Sequence, residues 1–259
     1  MDLVTETDKA VEKMVSRTLG AKYPTFKFLG EETFVPGTTL TEHPTFICDP
    51  IDGTTNFVHQ YPYVSISLGL ALNKEPVVGV VYNPFTGQLY TGIKGKGSYL
   101  TDLKSASPKQ KLPLKRPFEP LKGLSSSLIC VEWGSDREGS NHDIKVKTFD
   151  NLTRSKDRGG AMCHGFRSFG SAALNMCSLA TGSLDLYFDG GPWAWDFCAG
   201  WVILKEAGGM IVDTDPGNWD IALDNRKILA VRPSPEGQGQ REVVEEFWSH
   251  VAGNMEYSH

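Results

Sequence analysis

Asp49-Pro50-Ile51-Asp52-Gly53-Thr54-Thr55 is the stretch of this 259-residue sequence on which the fold prediction depends most. It directly follows the apolar run 45–48, which is typical of a short buried strand. Pro50 interrupts a regular strand ladder, and Gly53 tolerates backbone angles and close approaches that other residues do not. The sequence therefore predicts a strand that ends in a tight, acidic turn with room for a ligand beside it.

The side chains of this stretch are suited to metal binding. Asp49 and Asp52 offer carboxylate oxygens, the donors that hard divalent cations prefer, and the Ile51 carbonyl is a further candidate ligand. The amides of Gly53 and Thr54 are candidates for binding a phosphate group. An Asx turn capped by an aspartate accounts for the same spacing, so the stretch alone leaves both interpretations open.

Two further acidic clusters change that balance. Gly30-Glu31-Glu32-Thr33 also follows a short apolar run, and Trp195-Asp196 stands where a helix is predicted to begin. Each has a simpler interpretation, since glutamates are common in solvated loops and aspartate is favoured at a helix N-cap. If the three clusters converged, however, their carboxylates would repel one another unless a cation lay between them. This expectation favours a metal site.

Apolar periodicity predicts a mixed fold in which early strands form an antiparallel meander and later strands alternate with helices. The predicted strands are 26–29, 45–48, 64–72, 77–82, 88–92, 97–100, 128–132, 184–188, 210–213 and 228–231, and the predicted helices are 8–19, 142–153, 170–182, 195–207 and 242–251. The Pro- and Lys-rich segment 101–127 is predicted to be a connecting loop. We expect a layered α/β or α+β architecture in one domain, 1–259, with halves 1–127 and 128–259.

The composition excludes several classes of protein. The net charge is −5, and no block of Lys and Arg is long enough to bind a nucleic-acid backbone. No apolar run reaches the roughly 20 residues that a membrane helix needs. The five cysteines without a Cys-x-x-Cys pair favour reduced thiols, and the residues after Met1 lack the features of a signal peptide. We therefore expect a cytoplasmic protein that binds neither nucleic acid nor membrane.

Taken together, the motifs resemble those of the inositol monophosphatase family over nearly the whole chain. The motifs that carry this resemblance, in order and spacing, are Asp-Leu-Val-Thr-x-x-Asp at 2–8, Gly-Glu-Glu at 30–32, Asp-Pro-Ile-Asp-Gly-Thr-Thr-Asn-Phe at 49–57, Gly-x-Arg-Ser-x-Gly-Ser-Ala-Ala at 165–173, Trp-Asp-x-x-Ala-Gly at 195–200 and Glu-Ala-Gly-Gly at 206–209. The resemblance implies a layered α-β-α-β-α sugar-phosphatase fold and a homodimer. It also implies Mg²⁺-dependent, lithium-sensitive hydrolysis of a small phosphorylated alcohol, with myo-inositol 1-phosphate as the expected substrate.

The resemblance also implies roles for the matching residues. The implied metal ligands supply oxygen donors around two principal Mg²⁺ ions and a weaker third one: Glu31, Glu32, Asp49, Ile51, Asp52 and Asp196. Thr54 with Glu31 would orient a metal-activated water that attacks the phosphorus, and Asp8 would support Thr54. The implied substrate-binding residues lie in both halves of the chain: Gly53, Thr54, Gly170, Ser171, Ala172, Asp189 and Asp196.

Two departures from the family pattern leave alternatives open. In the family, a largely helical segment precedes the Asp-Leu-Val-Thr motif; this sequence lacks it, which allows an impaired, non-catalytic relative. Asp189 stands where the family's inositol phosphatases carry a glutamate that contacts the ring hydroxyls. Because aspartate is one methylene shorter, histidinol phosphate, a sugar phosphate and a nucleotide 3′-phosphate stay alternative substrates.

Overall fold

The computed structural model of the protein describes residues 5–114 and 119–257, so motif residues 2–4 lie outside the described part. The helices in these ranges are α1 Glu6–Lys22, α2 Thr54–Val58, α3 Gly139–Thr153, α4 Ala172–Thr181, α5 Ala194–Ala207 and α6 Gln240–Trp248. The strands are β1 Lys27–Gly30, β2 Thr45–Asp52, β3 Ser65–Leu72, β4 Glu75–Asn83, β5 Gln88–Ile93, β6 Gly97–Asp102, β7 Gln110–Lys111, β8 Leu128–Val131, β9 Gly165–Arg167, β10 Leu186–Gly190, β11 Met210–Val212 and β12 Lys227–Val231. α1 begins earlier than predicted because Thr5 and Asp8 form a reciprocal capping box.

The first sheet contains seven strands in their chain order, β1 to β7. β1 runs parallel to β2, and every later pair is antiparallel, which confirms the predicted meander. The β3–β4 hairpin closes through Asn73 and Lys74, whose positive φ angles of 52° and 65° suit the twist of the flanking strands. β7 adds Gln110–Lys111 to the sheet edge, β6 extends to Asp102, and Leu124–Ser126 form a 3-10 turn. The prediction that all of 101–127 is loop is therefore wrong at these three places.

The second sheet is mixed, with the strand order β11-β12-β10-β8-β9. β8 pairs in parallel with both β10 and β9, a short strand that the apolar pattern does not predict. Side chains alternate between the two faces along β10. Leu186 and Phe188 enter a core shared with α3 and α6, whereas Tyr187 enters the core shared with α4 and α5. Both faces of this sheet are therefore covered by helices.

α5 lies unusually close to the first sheet because two paired glycines face it. A Cβ atom at Gly69 would lie 2.3 Å from the Cys198 sulfur, and one at Gly79 would lie 2.2 Å from the Ala199 carbonyl oxygen. Only glycine allows this approach. The close contact holds α5, whose first turn carries Asp196, against the first sheet.

The layers follow from these contacts. α1 packs on one face of the first sheet, α4 and α5 fill the space between the sheets, and α3 and α6 cover the second sheet. This arrangement confirms the predicted α-β-α-β-α fold. Within the described ranges, no helix combines the length and the apolar character that crossing a membrane requires.

Candidate metal centre and substrate site

A β-bulge brings the two aspartates at the end of β2 onto one face of the first sheet. The sequence predicts that this strand stops before the first aspartate, but β2 continues to Asp52. Asp49 is opposite Ser67 and Asp52 is opposite Ser65, so three steps along β2 match two steps along β3. Residues three apart in a regular strand point to opposite faces, and the extra residue of the bulge reverses this. Both carboxylates therefore face α5.

α5 adds a third carboxylate to the centre. Its first turn carries Asp196, whose Oδ2 accepts a hydrogen bond from the Trp193 amide at 2.5 Å and caps the helix. Ser67 Oγ donates to a carbonyl oxygen in the same turn, 3.0 Å away, and ties this end of α5 to β3. One carboxylate oxygen from each of Asp49, Asp52 and Asp196 lies within 4.8 Å of the others. Two aspartates of β2 and one from a distant part of the sequence thus share one small volume.

Glu31 joins this cluster from the end of β1. Gly30 is opposite Cys48 in the parallel β1–β2 pair, so Glu31 lies beside Asp49, where burial and then the charge of Glu31 raise the pKa of Asp49. Burial, followed by the charges of the neighbouring acidic groups, raises the pKa of Asp49 and of Asp196 well above the usual range. A cation relieves such repulsion, and a donor set made only of oxygens suits a hard divalent ion. The residues present therefore fit the predicted metal.

The N-terminus of α4 holds Asp52 in place. The Ser171 hydroxyl, which also caps α4, donates to Asp52 Oδ2, and Ser65 Oγ donates to the same atom at 3.2 Å. The amides of Ala172 and Ala173 donate to the two carboxylate oxygens at 3.1 and 2.9 Å. Burial raises the pKa of Asp52 to about 6, and these hydrogen bonds limit the rise because they favour the ionised form. Asp52 therefore links the candidate metal centre to the predicted substrate segment.

The turn after β2 and the loop before α4 meet at two glycines. Gly53 has a φ of +92°, and a Cβ atom there would lie 2.9 Å from the Gly170 carbonyl oxygen. Asn56 Nδ2 joins the same two segments, because it donates to the carbonyl oxygens of Tyr63 and Phe169 at 2.9 and 2.6 Å. The predicted phosphate-binding turn and the predicted alcohol-binding loop therefore form one continuous surface.

The other predicted catalytic residues lie nearby but make different contacts. Thr54 Oγ1 donates to the Ile51 carbonyl oxygen at 3.0 Å, so these two predicted site residues contact each other. Asp8 is buried on α1 and accepts hydrogen bonds from the helix cap; within the described residues no hydrogen bond joins it to Thr54. Burial and then the charge of Asp8 raise the pKa of Glu32, which places Glu32 on the α1 side. The roles of Thr54, Asp8 and Glu32 stay predictions.

Glu132 anchors the predicted alcohol-binding loop, although no motif in the sequence identifies this residue. Its carboxylate accepts the amides of Phe169 and Gly170 at 2.9 Å each, the Ser168 hydroxyl at 2.8 Å and the Asn175 amide at 2.8 Å. A single acidic residue at the end of a predicted strand carries no distinctive signal. The glycine-containing motif at 165–173 locates the loop, but nothing in it points to an anchor so far away in sequence.

Asp189 lies at the end of β10 close to this loop. Its side chain is buried, and its Oδ2 accepts a hydrogen bond from the Tyr187 hydroxyl at 2.6 Å. Burial, and then the charge of Glu132, raises the pKa of Asp189 to about 6. The structure therefore places the predicted alcohol-binding aspartate beside the anchor of the substrate-side loop.

Comparisons with known proteins agree with this site. The model of the inositol monophosphatase family matches residues 1–252. Inositol monophosphatase 2 of Saccharomyces cerevisiae is 51% identical over 99% of this chain and 85% of its own, and inositol monophosphatase 1 of the same yeast is 46% identical with the same coverage. The crystal structure of inositol monophosphatase II from Staphylococcus aureus MSSA476 superposes with a TM-score of 0.73 and 28% identity, covering 96% of this chain and 82% of that one.

The family match and these relatives identify the protein as a phosphoric monoester hydrolase, which the acidic cluster fits. The chain belongs to the inositol monophosphatase family, and the resemblance inferred from its motifs is confirmed.

Proposed function

We propose that the protein is a Mg²⁺-dependent phosphatase that hydrolyses myo-inositol 1-phosphate. The observation that carries this proposal is the convergence of Glu31, Asp49, Asp52 and Asp196 beside the N-terminus of α4. The two yeast relatives, which are named inositol monophosphatases, support the substrate. A buried site with oxygen donors only supports Mg²⁺ as the metal.

Each residue of the metal side has an assigned task. The residues that would hold Mg²⁺ offer oxygen atoms only: Glu31, Glu32, Asp49, Ile51, Asp52 and Asp196. Bound there, Mg²⁺ supplies positive charge at the phosphate and lowers the pKa of a water molecule. The amides of Gly53 and Thr54 bind the phosphate oxygens, the Thr54 hydroxyl and Glu31 orient the attacking water, and Asp8 supports Thr54 from α1.

On the substrate side, the segment Gly170–Ala172 and Asp189 contact the alcohol. Asp189 is only 7% exposed and is already engaged by Tyr187, which limits its reach towards a ring hydroxyl. This observation favours a second candidate substrate from the same reaction class: histidinol phosphate, a sugar phosphate or a nucleotide 3′-phosphate.

Three further properties complete the proposal: a homodimer, inhibition by lithium and a cytoplasmic location. All five cysteines are free thiols in the described structure, which supports a reducing compartment. Family membership supports the dimer and the lithium effect. Sedimentation of the purified chain, and activity measured against lithium concentration, check these two properties.

A substrate panel tests the proposed reaction. Phosphate release is measured from myo-inositol 1-phosphate, histidinol phosphate, glucose 1-phosphate and adenosine 3′-phosphate, with and without Mg²⁺. We expect release only with Mg²⁺ and the highest kcat/KM for the inositol ester. No release from any ester by the folded protein at saturating Mg²⁺ would contradict the phosphatase, whereas preference for another ester would contradict only the substrate.

A further inference from the structure

A buried lysine holds the backbone just after Asp189. Lys145 of α3 is 4% exposed, and its ammonium group donates to the Gly190 carbonyl oxygen at 2.8 Å. The same group donates to the Trp133 carbonyl oxygen and to Asp136 Oδ2, each at 3.1 Å. Three donors and three acceptors satisfy the ammonium group completely. Lys145 therefore joins the loop after β8 to the end of β10.

An arginine holds the next two residues of that backbone. Arg226 Nη2 donates to the Gly191 carbonyl oxygen at 2.5 Å, and its Nε donates to the Pro192 carbonyl oxygen at 3.4 Å. The guanidinium group lies 3.5 Å from the centre of the Trp193 ring. The Trp193 ring also stacks on the Trp195 ring, with 5.2 Å between the ring centres. Arg226 therefore fixes both the carbonyls and the aromatic side chain of one short segment.

The C-terminal part of the chain closes this assembly. The Tyr257 hydroxyl donates to Asp136 Oδ2 at 3.0 Å, and the Tyr257 ring covers Gly191, where an added Cβ would lie 3.3 Å from it. Reciprocal hydrogen bonds of 2.7 and 2.9 Å between Asn141 and the Glu256 backbone hold the tail on α3. Tyr257 therefore contacts the backbone at Gly191 from the C-terminal tail.

These contacts do not form a second anion site. The Lys145 ammonium is buried with all its donors used, and Arg226 is directed at backbone carbonyls and an aromatic ring. What they share is the segment 190–193, which joins Asp189 on β10 to Asp196 on α5. This segment links a proposed substrate residue to a proposed metal ligand, so its backbone needs a fixed geometry. Small displacements at a reacting centre lower the reaction rate.

We propose that Lys145, Arg226 and Tyr257 form a clamp that positions Asp189 and so sets the alcohol specificity of the site. The clamp rests on the proposed function, because it assigns Asp189 to the alcohol. It acts through the backbone of residues 190–193 and does not contact the substrate itself. Its three members are positioning residues that come from three separate elements of the fold.

Two mild variants test the clamp. Arg226→Lys keeps the charge but loses the planar fork and the ring contact, and Tyr257→Phe removes only the hydroxyl. Steady-state kinetics are measured with myo-inositol 1-phosphate and with 4-nitrophenyl phosphate, which has no ring hydroxyl, and the Mg²⁺ concentration for half-maximal activity is recorded. Arg241→Lys is the matched control, because Arg241 of α6 also covers an aromatic ring, that of Trp219 at 3.8 Å, which is not part of residues 190–193.

The clamp predicts a loss confined to the inositol ester. In both variants kcat/KM for that ester falls about tenfold through a higher KM, the size typical of removing an orienting partner. The values for 4-nitrophenyl phosphate and for Mg²⁺ stay within about twofold of wild type, as does every value of the Arg241→Lys control. Equal losses of kcat/KM with both esters, or no loss with either ester, overturn the clamp. If Arg226→Lys does not fold, the result for Tyr257→Phe decides alone. An inactive wild-type chain contradicts the proposed function instead.

Discussion

The two sides of the site are built in opposite ways. On the metal side, Asp49 is buried among Glu31, Asp52 and Asp196, and each of these acidic groups raises its pKa further. On the alcohol side, the backbone after Asp189 is held by two cations of the protein itself. The first side therefore brings together carboxylates that an external cation can neutralise, whereas on the second side Lys145 and Arg226 bind backbone carbonyl oxygens. This difference indicates that metal binding and alcohol recognition can be disrupted separately.

Asp49→Asn breaks the metal side and has the largest expected effect. We expect kcat/KM to fall at least about 1,000-fold, because a lost metal ligand removes several kcal/mol of transition-state stabilisation. Steady-state kinetics at saturating Mg²⁺ measure this effect. Asp143→Asn is the control, since its side chain is 80% exposed. Near-normal activity of Asp49→Asn would reject Asp49 as a ligand.

Gly53→Ala breaks the contact between the two sides. An alanine there must adopt a φ of +92° with its Cβ 2.9 Å from the Gly170 carbonyl oxygen. Gly37→Ala is the matched control, because Gly37 has a φ of +88° with open space around it. We expect the free energy of unfolding to fall by about 1 kcal/mol for Gly37→Ala and by about 3 kcal/mol for Gly53→Ala, and only the latter to lose roughly 100-fold in kcat/KM. Equal effects of the two variants would show that the contact is unimportant.

Glu132→Ala tests the loop anchor that the sequence does not reveal. The change leaves the amides of Phe169 and Gly170 without their acceptor. We expect kcat/KM to fall about 10- to 100-fold, whereas Glu132→Gln, which keeps one acceptor oxygen, loses clearly less. Kinetics of the two variants side by side decide the matter. A loss of equal size in both variants would mean that activity depends on the charge of Glu132 and not on its hydrogen bonds.

Asp189→Asn tests the alcohol side through the pH dependence of the free energy of unfolding. Burial and Glu132 raise the pKa of Asp189 from 3.8 to about 6, so the folded protein holds this proton more tightly than the unfolded chain does. The ionised group therefore destabilises the fold above about pH 6, and this cost disappears as the pH falls below about 4. We expect the metal-free variant to be more stable than wild type by on the order of 2 kcal/mol at pH 7, with no difference near pH 4.

Denaturant unfolding of both proteins between pH 4 and 7 checks this prediction. Asparagine keeps an oxygen that can accept the Tyr187 hydroxyl, so packing changes little. A variant that is less stable than wild type at pH 7 would mean that Asp189 is stabilised by its charge.

Local patterns predict the first half of the fold well. The meander follows from short strands joined by turns such as Asn73–Lys74, where the pairing partners are neighbours in sequence. The bulge that aligns Asp49 with Asp52 depends on the register against β3, and β9 depends on its pairing with β8. Neither feature has a local signal, so the sequence misses both.

The same reasoning applies to the site. The acidic residues are visible in sequence because several carboxylates at element ends are unusual. Glu132, Lys145 and Arg226 are ordinary charged residues whose partners are distant backbone atoms, and only the folded chain reveals them. The resemblance to a family indicates the candidate ligands, but it does not indicate the groups that hold them.

The free energy of unfolding as a function of Mg²⁺ concentration tests most directly whether the acidic cluster is the metal centre. Wild type and Asp189→Asn are expected to gain about 2.7 kcal/mol when Mg²⁺ reaches about 100 times its dissociation constant, because only the folded state binds the ion. Asp49→Asn is expected to gain far less at the same concentrations. If Mg²⁺ stabilised Asp49→Asn as much as wild type, or stabilised none of the three proteins, the acidic cluster would not be the metal centre.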